Sequence, residues 1–121
     1  IETHPDVFPV VLAFAAERGL PCRIRDDALR QQAKQRGVAL CDTIIGDVSN
    51  HPYWTVERLM EGIASLSEGT TELVCHPGYL DEPLKRSRYS WQREEELRAL
   101  CDPSVRKAVE RQGVRLRRHG Q

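Results

Sequence analysis

Apolar and polar positions alternate between two periods along this chain. Val7, Val10, Val11, Phe14 and Ala15 recur at helical spacing. Asp6 suits an N-cap, Pro9 falls in the first turn where its missing N–H matters little, and Gly19 is the expected stop. Residues 20–25 read as a short strand, and Asp26 or Asp27 caps a second helix running to Arg36 and ended by Gly37. Residues 38–45 form the next predicted strand, closed by Gly46. A polar loop leads to Thr55, the N-cap of a helix over residues 56–67, and Gly69 precedes an apolar strand ending at His76. A longer loop carries Lys85, Arg86 and Arg88. Ser90 then caps a helix over residues 91–100, with Glu94, Glu95 and Glu96 near its positive end. Asp102-Pro103 restarts the chain as N-cap and N1 of a last helix to Gln112, and residues 114–116 read as a final strand.

Strands and helices in alternation with short links predict an α/β fold with a parallel sheet and right-handed crossovers. Four βα units are about half of an eight-unit barrel, whose usual size is ~250 residues, and an open parallel sheet satisfies the same order. In either arrangement His4, Asp42 and His76 are expected at or near C-terminal strand ends, where parallel α/β folds bind ligands.

The length, 121 residues, is one domain's worth of chain. Eighteen basic and 18 acidic residues cancel, which gives no argument for a nucleic-acid or membrane partner. The longest apolar run, residues 10–16, is far too short to span a bilayer. Cys22, Cys41, Cys75 and Cys101 lie far apart with no C-x-x-C pair, which suits reduced thiols in a cytoplasmic protein rather than a disulfide frame or a zinc knuckle. The sequence opens on Ile1-Glu2-Thr3-His4, which reads as the end of a strand. The expectation is a piece of a longer protein.

The chemistry concentrates at His76-Pro77-Gly78. Pro77 biases His76 away from the α region and Gly78 permits a reversal, so an imidazole is expected at the end of a buried strand, facing a loop. A histidine before such a turn also serves as a plain turn residue. Asp42 is a candidate for lining a pocket. His51 is read as a loop residue, and Trp54 and Trp91 as packing groups or as aromatic faces for stacking.

Thr71-Glu72-Leu73-Val74-Cys75-His76-Pro77-Gly78-Tyr79, then Tyr89-Ser90-Trp91-Gln92-Arg93-Glu94-Glu95-Glu96-Leu97, Asp102-Pro103 and Gly113-Val114-Arg115-Leu116, resemble the C-terminal half of the YdjC-like family of carbohydrate deacetylases. The resemblance implies part of a (β/α) barrel-like fold and a metal-dependent hydrolase that removes acetyl groups from N-acetylated sugars. It implies a divalent metal ion, Mg2+ or Zn2+, with His4 inheriting a ligand role. The family's Asp-Asp motif and first metal histidine have no counterpart in this sequence, so the piece alone is expected to be incomplete as an enzyme. The family's further histidines before the helix are also missing here, since His4 runs straight into Pro5.

Amide hydrolysis needs an activated water, a stabilised oxyanion and a proton for the leaving amine. His76 is assigned the acid or a substrate contact. Tyr79 is assigned to stack on or hydrogen-bond a sugar, and Arg93 to orient a carboxylate or bind a sugar hydroxyl, unless it pairs with Glu96 on its own helix. The expected partner is an N-acetylated sugar or oligosaccharide, with a homodimer left open. Two rivals remain at this point: a non-catalytic half-barrel that pairs with another chain, and another sugar-handling barrel such as an isomerase.

Overall fold

The computed structural model describes residues 4–46 and 53–119. The chain divides into two compact units, one of Ile1–Asp42 with Arg117–Gln121 and the other of Thr43–Leu116.

The first unit is built on two helices, α1 (Phe8–Arg18) and α2 (Asp27–Gln35). The carbonyl of His4 accepts the amides of Val7 and Phe8, a turn that leads into α1. Gly19 ends that helix in the left-handed conformation, its amide returned to the carbonyls of Ala15 and Ala16. Asp26 caps α2 by accepting the Leu29 amide at 2.9 Å. Phe8, Leu12, Ala15, Ile24, Ala33 and Val38 form the core of this unit.

The stripe predicted for α1 is therefore out of phase. Val7, Val10, Val11 and Phe14 are exposed, and of the predicted set only Ala15 is buried. The segment is apolar nearly all round, so helical spacing fits two faces equally well and periodicity alone does not choose between them.

Residues 20–25 and 38–41 are irregular rather than strands. One backbone bond, Cys22 N–H to the Ala39 carbonyl at 3.0 Å, joins the two segments. Pro21 removes a donor from the first of them. The Arg30 guanidinium takes carbonyls that a longer ladder would use, donating to Ile24 at 2.8 Å, Cys41 at 2.6 Å and Asp42 at 3.3 Å.

The second unit holds the sheet. Strands β1 (Thr43–Ile45) and β2 (Thr71–Leu73) pair in parallel, with Thr43 opposite Thr71 and Ile45 opposite Leu73. Between them in sequence lies α3 (Val56–Ala64), the crossover that a parallel pair requires. After a 3-10 turn at Leu84–Arg86 come α4 (Gln92–Leu100) and α5 (Pro103–Arg111). Thr55 and Asp102 cap α3 and α5, as their sequence positions predict. Leu59 and Ile63 of α3, Ala99 of α4, and Val105 and Ala108 of α5 make the core, with Trp54, Val56, Met60, Leu73 and Val109 packed against it.

The α/β class and the parallel pairing are as expected, but the sheet among the described residues has two strands rather than the predicted series. Residues 114–116 form no strand.

The exit from β1 is tightly constrained. Gly46 sits at φ 87°, and a Cβ there would stand 2.4 Å from the Val74 carbonyl oxygen and 2.9 Å from the Trp54 indole nitrogen. Gly113 also has a positive φ, 66°, but open space around it. Gly46→Ala is expected to cost roughly 2–4 kcal/mol, combining backbone strain with a clash, whereas Gly113→Ala costs only the strain of about 1–2 kcal/mol. Urea unfolding of both variants checks this. Equal losses would mean that the contacts around Gly46 add nothing.

Candidate functional site

Beyond Leu73 the chain leaves the sheet. The last ladder bond runs from the Val74 amide to the Ile45 carbonyl at 2.8 Å, and His76 lies two residues further on. Helix α4 takes over there. The His76 amide donates to Oε2 of Glu96 at 2.6 Å, and Nη1 of Arg93 donates to the His76 carbonyl at 3.3 Å. Arg93 and Glu96 are one turn apart on the same face of α4, so a single helix holds both polar groups of the His76 main chain.

Glu96 is the one buried charged side chain among the described residues, 2% exposed. Its Oε1 accepts the Trp54 amide at 3.2 Å and, at short range, the Tyr89 hydroxyl. Three donors from three separate segments thus meet one carboxylate, which offsets much of the cost of taking it out of water. The Trp54 indole N–H donates to the Val74 carbonyl at 2.8 Å, so the same residue ties the strand end to the carboxylate.

Tyr89 forms the wall beside His76. The two rings meet edge to face with centroids 5.5 Å apart, and the Arg93 guanidinium lies over the Tyr89 ring at 5.8 Å. Burial, then the hydrogen bond to Glu96 and its charge, push the Tyr89 phenol well above the usual tyrosine range, with Arg93 pulling the other way. The hydroxyl therefore remains a donor. Arg93 Nε also donates to the Tyr89 carbonyl at 3.0 Å.

Of the predicted residues, the structure brings His76 and Arg93 together. Arg93 does not pair with Glu96; its guanidinium goes to two backbone carbonyls. Tyr79 is 82% exposed on the loop after His76. That loop is pinned by Gly78 N–H to the Arg93 carbonyl at 3.2 Å and Leu80 N–H to Glu94 at 3.0 Å.

His4 and Asp42 belong to the first unit. Asp42 immediately precedes β1, so it stands at the strand's N-terminal end, not the C-terminal end expected for it. Of the strand predicted over residues 38–45, only Thr43–Ile45 joins the ladder. His4 is exposed, and its Nδ1 accepts the Asp6 amide at 3.4 Å. In the neutral ring that bond puts the proton on Nε2, so binding a cation needs either the tautomer reversed or this weak bond given up. Among the described residues no group of three or more His, Cys, Asp or Glu side chains is placed to hold a metal ion. His51 and the residues before His4 lie outside the described residues.

Glu96, Tyr89 and Trp54 were not singled out as a unit by sequence. Spacing alone does not pick it out: Glu95 and Glu96 stand four and three residues before the buried Ala99, and both spacings share a helix face.

A family profile described as YdjC-like protein matches residues 1–111. Over 119 residues the chain is 29% identical to the chitooligosaccharide deacetylases of Yersinia pestis (strain Pestoides F) and Yersinia pseudotuberculosis serotype O:1b (strain IP 31758). Each match covers 93% of this chain and 46% of the relative, so the chain spans about half the length of the curated relatives it matches. Among solved structures, it shares its fold with a protein of Enterococcus faecalis V583 described as a cellobiose-phosphate cleavage protein. The TM-score is 0.75 at 24% identity, over 97% of this chain and 47% of that one.

The raised Tyr89 phenol has a measurable consequence. The fold favours its neutral form, so the stability it contributes is complete below the ordinary tyrosine value and is lost as pH climbs through the raised one. Ultraviolet titration of the wild type against Tyr89→Phe is expected to show one phenolate phase missing, later than the ordinary tyrosine range. A missing phase centred at the ordinary value would mean that the hydroxyl is not held by Glu96.

Proposed function

The chain belongs to the YdjC-like protein family, and on that premise we propose that it supplies part of the active site of a carbohydrate deacetylase. The reaction is hydrolysis of the acetamide of an N-acetylated sugar, with a short N-acetylated oligosaccharide as the substrate class. The match to chitooligosaccharide deacetylases across 93% of the chain supports this reading. The observation that carries it to a residue is an imidazole fixed by its own main chain just past a strand end.

The chemistry follows from that placement. Water adds to the acetamide carbonyl, the C–N bond breaks, and the departing sugar amine needs a proton. His76 offers an imidazole, a group that can give or take a proton, and it lies just past the C-terminal end of a parallel strand. The chain runs on through Pro77 and Gly78 with no turn or bend, Pro77 offers no N–H beside the imidazole, and the ring meets Tyr89 edge to face. Tyr79, on the pinned loop, offers an aromatic face and a hydroxyl to a sugar ring.

A divalent cation, Mg2+ or Zn2+, remains part of the proposal; when bound, such an ion polarises a carbonyl and acidifies water. His4 is the only ligand offered for it, and one imidazole is not a coordination set. No step above depends on it.

In the complete protein, His76→Ala is expected to lower acetate release from an N-acetylated chitooligosaccharide by about 10²–10⁴-fold while thermal unfolding changes little. Near-normal turnover would remove His76 from the chemistry, and a wild type that releases no acetate from any such sugar would remove the deacetylase. Chelation followed by dialysis is expected to abolish acetate release and re-addition of Mg2+ or Zn2+ to restore it. Full activity after chelation would dispose of the cation.

A further inference from the structure

The His76 side chain can act only where its backbone is held, and the sheet does not hold it. The ladder ends at Val74, and Pro77 on the other side has no amide to donate. Both main-chain groups of His76 instead end on α4: the amide on Glu96 across 2.6 Å, the carbonyl on Arg93. The same carboxylate fixes the Tyr89 hydroxyl, and the Tyr89 ring is the wall against which the imidazole stands.

We propose that Glu96 is a positioning residue, whose carboxylate sets the place and ring orientation of His76 for the proton transfer. The inference rests on the deacetylase reading above for its kinetic test. The alternative is that Glu96 only stabilises the core. Its burial argues against that. An enclosed carboxylate is expensive to desolvate, and a well-packed apolar residue of the same size generally stabilises a core as well or better. What an apolar residue does not provide is an acceptor shared by His76, Tyr89 and Trp54.

The groups facing the carboxylate are Trp54 before α3, His76 after β2, and Tyr89 before α4; Arg93 on α4 lies over the Tyr89 ring. Glu96→Gln keeps the shape but turns an NH2 toward one of the three donors. Tyr89→Phe removes one donor and keeps the wall.

The experiment uses the complete protein in four forms: wild type, Glu96→Gln, His76→Ala and the double variant. If Glu96 acts through His76, Glu96→Gln lowers kcat by about 10- to 100-fold with KM within about twofold. The double variant then loses no more than His76→Ala alone. The second readout does not depend on turnover. In the wild type the His76 amide proton, bonded to a carboxylate, resonates downfield and exchanges slowly with solvent. In Glu96→Gln it moves upfield and exchanges faster. Should Glu96→Gln fail to fold, Tyr89→Phe replaces it in the same cycle, with a smaller loss of kcat that vanishes in the His76→Ala background.

An unmoved His76 amide overturns the proposal. So does a loss in the double variant equal to the product of the single losses, or a rise in KM that accounts for the loss in kcat/KM. Normal acetate release by His76→Ala overturns the deacetylase role of His76 instead, and the amide resonance still reports whether Glu96 holds that residue.

Discussion

One enclosed carboxylate decides how the second unit is assembled. The donors that Glu96 accepts lie 42, 20 and 7 residues away in the chain. Each charge-assisted hydrogen bond contributes about 1.5–3 kcal/mol, and desolvating the carboxylate costs several kcal/mol in return. The two sides nearly cancel, so the net gain is in specificity more than in stability. An apolar core of Leu59, Ile63, Ala99, Val105 and Ala108 tolerates small slides of one helix on another. Three directional bonds to one group do not.

Trp54 extends the constraint to the sheet. Its amide reaches Glu96 while its indole reaches the Val74 carbonyl. That second bond brings the indole and the carbonyl against Gly46, where a side chain has no room. The end of β1, the end of β2, the entry to α3 and the middle of α4 are therefore fixed by a short series of contacts. The strands, with three residues each, have little ladder of their own to set their register.

What the sequence made legible was local chemistry. Asp26, Thr55 and Asp102 as caps, and Gly19 as a left-handed stop, are choices a few residues long, and they appear as read. The strand exit was read late: β2 ends at Leu73, three residues before His76, and no turn forms at Pro77-Gly78, whose composition permits a reversal without requiring one. Two local readings failed as well: Asp6 and Ser90 cap nothing, since α1 and α4 start after Val7 and Trp91 with no side-chain capping bond. The other failures involve partners distant in sequence. Residues 20–25 have strand-like composition, but a strand needs a neighbour, and Arg30 and Pro21 take that place away. For α1, a segment apolar on both sides gave the helix without its phase. Glu96 was hidden among Glu94 and Glu95, where acidic residues near a helix N-terminus already have an adequate reason to exist.

The role of Arg93 follows from how α4 meets the loop beside it. Glu96 takes the His76 amide, the Arg93 carbonyl takes the Gly78 amide, and the Glu94 side chain takes the Leu80 amide. Loop residues 76, 78 and 80 are thus held from one helix turn. The Arg93 guanidinium adds bonds to the carbonyls of His76 and Tyr89. Its hydrogen bonds are directed at main chain, which argues for fixing the loop rather than gripping a substrate. With the backbone held in this way, the side chains of His76 and Tyr79 are not needed to secure the loop. The main chain of this segment is thus bonded to α4, and the two side chains proposed above for the substrate do not carry that bonding. Main-chain bonds to a helix are what hold an irregular segment in one place without drawing on its side chains, as a site built on that segment requires.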